Sequence, residues 1–131
     1  MGPETEAGSP QEGGSLASAI SNTVRQLVAE YTGRGPTRAR TSIRDNLVVV
    51  LLEDTLTKGE RRLVAQGRDI RVLDYRAEFQ AAMREDAIAK IEELTDRKVI
   101  AFMSANHIEP DLAAELFVLE PDGQAASSDG R

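Results

Sequence analysis

The chain has 131 residues, 40% of them apolar and 29% charged, with a net charge of −6 and no cysteine. That length suits one globular domain rather than two, and the missing thiols exclude a disulfide framework and thiol catalysis. Taking away Glu4, Glu6, Glu12, Asp122, Asp129 and Arg131 at the two ends moves the charge from −6 to −2. The middle of the chain therefore lacks the basic footprint of a nucleic-acid binder, and no nucleic-acid partner is expected.

No apolar run approaches the roughly 18 residues that cross a membrane, and the start shows no basic-then-apolar leader. The expectation is a soluble, cytoplasmic protein with no direct membrane insertion. Residues 1–14 and 121–131 are rich in Gly, Pro, Ser and acid with almost nothing to bury. They read as disordered tails around a single domain spanning 15–120.

Ser15 is a candidate N-cap for a first helix, whose stripe is Leu16, Ile20, Val24, Leu27, Val28 and Tyr31. Gly33-Arg34-Gly35-Pro36 ends it, because Gly takes the left-handed cap and Pro cannot continue a helix. From Thr37 to Arg44 small or apolar residues alternate with Arg38, Arg40, Ser42 and Arg44, the period of a strand. Asp45-Asn46 supplies a two-residue turn, and Leu47–Leu52 is an unbroken apolar run that suits a strand buried on both faces.

That turn length fixes the register. Ile43 faces Val48, Thr41 faces Val50 and Ala39 faces Leu52, making one apolar face. The other face pairs Arg44 with Leu47, Ser42 with Val49 and Arg40 with Leu51, so half of it is apolar. It should be covered by a helix or by a second copy of the chain.

Thr57-Lys58-Gly59-Glu60 predicts a capping box opening a short helix that ends near Gly67. Residues 69–95 then predict one long helix with a stripe of Val72, Phe79, Met83, Ala87, Ile91 and Leu94. At about 1.5 Å per residue it runs roughly 40 Å, long enough to leave an end for a partner. Lys98–Ala105 predicts a third strand, Asn106–Asp111 a loop, and Leu112–Leu119 a fourth strand. The order α-β-β-α-α-β-β argues for an α+β fold, an antiparallel four-stranded sheet with packed helices.

Three constellations bear on chemistry. His107, the single histidine, has Asn106, Glu109 and Asp111 nearby, a pattern that suits a metal site or a general base as well as a hydrogen-bonded hairpin loop. A catalytic zinc wants three protein ligands, and one His with loop carboxylates is a poor set. Arg34, Gly35, Arg38 and Arg40 form the second, an anion-binding candidate built from guanidinium forks and a Gly-rich turn. The same arginines could instead lay their stems along the strand and pair with carboxylates. The third is the mixed charge of the long helix, which reads as a solvated face. No nucleophile motif, dinucleotide fingerprint or phosphate loop is present, the five aromatics fall mostly on apolar stripes, and no cofactor is expected.

Tyr31-Thr32-Gly33-Arg34-Gly35-Pro36, the following hairpin with its Leu47-Val48-Val49-Val50 strand, Leu56-Thr57-x-x-Glu60, and the long helix leading into Lys98-Val99 together resemble the bacterial MpsC-like domain family. The resemblance covers about residues 15–120, and Tyr-x-Gly-Arg-Gly-Pro is its sharpest element. It implies an accessory role near a membrane ion or bicarbonate transport system and brings no catalytic residues. Where relatives place a His-Thr-Asp stretch on the third strand, this chain has Met103-Ser104-Ala105.

These readings converge on a non-enzymatic interaction or regulatory accessory domain, forming a homodimer and partnered by a membrane-transport protein. A small-anion or nucleotide binding module at the Gly-Arg-Gly-Pro hairpin is the alternative. A metal-dependent enzyme at the His107 loop is the weaker one.

Overall fold

The computed structural model describes residues 10–121, with side chains from Gly14 onward. Helix α1 (Pro10–Thr32) is followed by strands β1 (Arg38–Arg44) and β2 (Leu47–Glu53), helices α2 (Lys58–Ala65) and α3 (Asp69–Thr95), and strands β3 (Val99–His107) and β4 (Leu112–Leu119). The α+β order matches the expected one. The first helix begins at Pro10, five residues before Ser15, so Ser15 lies inside it rather than capping it. A proline is at home in a first turn, where its missing N–H would have had no partner. The rest of the two expected tails, 1–9 and 122–131, lies outside the described residues.

The strands form one antiparallel sheet in the order β1-β2-β4-β3. Its first hairpin has the predicted register, Ile43 against Val48 and Arg40 against Leu51, with Asp45 taking the positive φ of the turn. β2 continues the sheet through β4, where Val49 opposes Leu116 and Val50 opposes Glu115. Gly33, at φ 83°, closes α1 by donating its N–H to the Ala29 carbonyl at 2.8 Å. The chain then drops onto the sheet edge with Gly35 pressed against α1, where an added Cβ would stand 3.4 Å from that of Ala29.

All the core lies on one side of this sheet. Val48, Val50, Leu52, Ala113, Phe117, Leu119 and Phe102 meet Ile20, Val24, Leu27 and Val28 of α1 and Phe79, Met83, Ala87 and Ile91 of α3. The long helix buries residues from Val72 to Ile91, so its length is used along the sheet; its large apolar side chains that are exposed, Ile70, Leu73 and Tyr75, all lie in the first turns. The Tyr31 hydroxyl donates to Asp86 at 2.7 Å and ties the two long helices together.

The second face differs from expectation in two ways. The apolar run of β2 predicts burial on both sides, but its burial alternates, and Leu47, Val49 and Leu51 are half-exposed or exposed. The predicted end of β3 is Ala105, but the strand runs through His107 and carries a bulge at Ile100. An extra residue flips side-chain parity, so Val99 and Phe102 share the core while Ala101 and Met103 face outward with Leu116 and Val118.

Candidate functional site

Two places on this frame concentrate chemistry. The first is a polar network that enters the domain where β2 hands over to α2. Asp54 follows the last residue of β2 with φ 61° and holds two guanidiniums, Arg34 of the Gly-Arg-Gly-Pro turn at 2.7 Å and Arg61 of α2. Arg34 first, with Arg61 adding to it, keeps the Asp54 carboxyl below its ordinary range, against the upward push of partial desolvation. Arg61 also reaches Asp111 at 3.6 Å.

Asp111 is the joint between surface and interior. One carboxylate oxygen accepts from the Thr55 N–H and hydroxyl, each at 3.0 Å, and the other accepts from the Leu56 N–H at 3.0 Å. The β3–β4 hairpin thereby fixes the approach to α2, whose predicted capping box is present. Thr57 Oγ1 accepts from the Glu60 N–H at 3.1 Å, and Glu60 Oε1 accepts from the Thr57 N–H at 2.8 Å.

Inside, Arg76 is 1% exposed. Its guanidinium donates to Glu60 Oε1 at 2.9 Å, to Thr55 Oγ1 at 3.0 Å and to Asn106 Oδ1 at 3.1 Å. Asn106 and Gln80 exchange two amide bonds of 3.0 Å each. Glu115, 1% exposed on the same face of β4, accepts from the Ser104 hydroxyl. Burial pushes its carboxyl up to about 7, although Ser104, Arg76 and Gln80 all favour the charged form. Desolvation wins because a carboxylate at this depth has lost its water, and one hydroxyl bond and a shared arginine do not replace it.

The network runs from the Arg34 turn through the β2–α2 connection, α2, α3 and the β3–β4 hairpin to Ser104 and Glu115, through side chains that mostly satisfy one another. Two of its atoms are left over, Arg34 Nε at the surface end and Glu60 Oε2 inside. Both are buried and have no hydrogen-bond partner among the described residues.

The second place is the outer face of the sheet. Four cross-strand rows line it: Arg44-Leu47-Val118-Ala101, Ser42-Val49-Leu116-Met103, Arg40-Leu51-Ala114-Ala105, and Arg38-Glu53-Leu112-His107. Its centre is aliphatic and its β1 edge is basic. No helix among the described elements packs on it; Met103 is 50% exposed and Leu47 37%.

The sequence-predicted anion residues are dispersed. Arg34 lines a recess of about 580 Å³ with Thr32, Gly33, Leu56, Thr57, Lys58 and Arg61. Arg40 lines another, of about 520 Å³, between α1 and β1, and bonds Glu53 at 3.3 Å. Arg38 is exposed on the outer sheet face, and Gly35 backs onto α1. The residues grouped around His107 also go separate ways. Asn106 turns inward to Arg76, Asp111 holds the α2 approach, and the exposed His107 ring bonds the Pro110 carbonyl at 2.8 Å. Among the described residues no group of His and acid side chains has metal-binding geometry.

Sequence reasoning missed Arg76, Gln80 and Glu115 as inward-facing groups. The signals were present: the stripe of α3 takes a step of seven from Val72 to Phe79, and Arg76 occupies the gap. Glu115 likewise holds the same strand parity as Ala113, Phe117 and Leu119.

Taken together, these features define an open-faced α+β domain: helices on one side of the sheet, an aliphatic surface on the other, and a buried ion network at one end. The chain belongs to the family described as Na+-translocating membrane potential-generating system (MpsC), whose model matches residues 12–121. No helix in the described residues is long and apolar enough to cross a membrane. No curated protein and no solved structure matches the chain.

Proposed function

We propose that this chain is a non-enzymatic docking and regulatory domain on the cytoplasmic side of a membrane ion-transport system, working as a homodimer through its outer sheet face. The observation that carries this reading is the aliphatic centre of that face, Leu47, Val49, Leu51, Leu116 and Val118, which no described element covers. Contiguous apolar surface on a small domain signals contact with another macromolecule. The family match supports a membrane-associated role, and in this reading the chain reaches the membrane system through a protein.

The test is affinity capture from membranes of the native host, using the full chain and the variant Val49→Glu/Leu116→Glu. The expected result is co-purification of a transport subunit with the wild type and its loss with the variant, because docking requires the dimer assembled through that face. Capture that ignores the substitutions would assign docking to another surface.

One observation favours a second reading, binding of a small anion. Arg34, Lys58 and Arg61 line a single recess beside the first turn of α2, and guanidinium forks suit phosphate or carboxylate there. Asp54 already bridges two of the three, so an anion would have to displace it.

A further inference from the structure

The outer face carries information about its own partner. Resting on the docking reading above, we infer that the occupant is a second copy of this chain, packed face to face about a two-fold axis parallel to the strands, so that β1 of one copy lies over β3 of the other and β2 over β4.

Size allows a copy as occupant. Four strands about 4.8 Å apart and seven residues long span roughly 19 by 23 Å. That is about 440 Å² of projected area per copy before side-chain relief is counted, the scale of a small rather than a standard interface.

Chemistry selects the axis. Two sheets of one chain can face each other about an in-plane two-fold either along the strands or across them. The axis across the strands lays β1 on β1 and brings Arg38, Arg40 and Arg44 of both copies together on one edge, six like charges over a desolvated surface. Such an arrangement opposes association. The axis along the strands sends the two arginine rows to opposite edges.

It also sets large groups against small ones along the β1 edge in three of the four rows; in the fourth, Arg38 lies over His107 of the partner subunit and Glu53 over Leu112 of the partner subunit. Arg44 lies over Ala101 of the partner subunit, Arg40 over Ala105 of the partner subunit, Ser42 over Met103 of the partner subunit and Leu51 over Ala114 of the partner subunit. In the centre Leu47 meets Val118 of the partner subunit and Val49 meets Leu116 of the partner subunit. The arginine stems can then cross alanines and carry their heads past the partner's β3 edge into water. Aligned sandwiches pack with their sheets about 10 Å apart and strands within about 30°, which tolerates this pairing without distortion.

The chain has no cysteine, so single thiols report the geometry cleanly. Ser42 and Met103 are exposed and outside the core. In one chain they lie three strand spacings apart, roughly 14 Å, but on facing copies they oppose each other. Full-length Ser42→Cys and Met103→Cys chains are mixed, refolded together and treated with a short bis-maleimide. The expected result is covalent dimer of twice 14.2 kDa in the mixture and only background from either variant alone.

Cross-linking of Ser42→Cys with itself, or of Met103→Cys with itself, would overturn the arrangement in favour of the other axis or of edge pairing. A 14.2 kDa species by light scattering at high concentration would overturn self-pairing altogether. So would a monomer that sediments with vesicles of anionic phospholipid, which would give the face to lipid. Val49→Glu places one unpaired carboxylate per copy at the centre, and the dimer dissociation constant should rise by more than about a hundredfold. The docking reading is judged separately: a monomer that still loses its transport partner on Val49→Glu/Leu116→Glu would keep docking through this face and discard the dimer as its requirement.

Discussion

The two faces of this sheet exchange the usual roles of inside and outside. The inner face, at the end nearest α2, holds Arg76, Glu60 and Glu115, each at most 4% exposed. The outer face leaves leucines and valines half in water. Burying charge is costly and leaving aliphatic surface exposed forgoes stabilisation, so each face reflects something besides the stability of the single chain. The inner network fixes how the α2 entrance and the β3–β4 hairpin meet, because both end on Asp111, Thr55 or Arg76, while Asp54 ties the Arg34 turn to Arg61 beside them. The outer face offers a flat surface that one chain cannot satisfy.

The largest effect should come from breaking the inner network at its centre. Arg76→Met removes the partner of a buried carboxylate, a hydroxyl and an amide at once, and it should cost about 3–5 kcal/mol in urea unfolding. Arg76→Met/Glu60→Gln removes both charges and should recover part of that loss. If Arg76→Met alone were neutral, the pair would be a passive feature of the core. The two faces can then be compared at adjacent positions of β4. Phe117→Ala empties a fully buried site and should cost about 3–5 kcal/mol. Leu116→Gln, one residue away on the other face, should leave monomer unfolding within about 1 kcal/mol of wild type while weakening association. Equal losses at both positions would mean that the outer face is already covered within one chain.

Glu115 sharpens the contrast by pH. Its carboxyl ionises near 7 in the folded chain against an ordinary 4.5, so between those values the folded state holds a proton that the unfolded state has released. The contribution is therefore full below about 4.5, falls as pH rises toward 7, and stays low above it. Each pH step of one between the two values is worth about 1.36 kcal/mol, which makes the whole loss of order 3 kcal/mol. Glu115→Gln, neutral throughout, should flatten that slope and stabilise the chain at pH 8 by roughly 1–3 kcal/mol. An unchanged slope would place the ionisation elsewhere.

Much of the fold was legible because it depends on local pattern. The Asp45-Asn46 turn length fixed the first hairpin's register, Thr57 and Glu60 announced the α2 cap, and the stripe from Val72 to Leu94 set α3. What failed was parity and partnership. The bulge at Ile100 is an insertion in pairing, which alternation within one strand does not reveal. The run Leu47–Leu52 looks doubly buried, yet the second cover is not supplied by any described element. Buried arginine and glutamate escaped notice because polar residues at core spacing are ordinarily read as breaks in a stripe. Only the three-dimensional convergence of Arg76 on Asn106, Thr55 and Glu60, and of Glu115 on Ser104, shows them to be part of it.

The smallest effect concerns Arg34, where the two readings of the Gly-Arg-Gly-Pro turn diverge. Arg34 and Asp54 are about one-third exposed, and exposed pairs contribute little to stability. Arg34→Gln should thus shift the melting temperature only slightly, while Asp54 loses the larger of its two stabilising guanidiniums. The Asp54 carboxyl, held low in the wild type by Arg34 first and Arg61 second, should titrate higher in the variant. An NMR titration of its side-chain carbon reads that change directly. The wild-type contribution of Asp54 is present at neutral pH and is lost as pH falls through its lowered folded value, so the variant should differ from wild type least at acid pH. A thermal-shift series with phosphate and sulfate separates structure from binding, because a ligand held only by the folded state must raise its melting temperature. If the turn is structural, no anion stabilises either chain. If an anion displaces Asp54 in the recess, phosphate stabilises the wild type, fails with Arg34→Gln, and returns the Asp54 titration toward the ordinary carboxylate range as it binds.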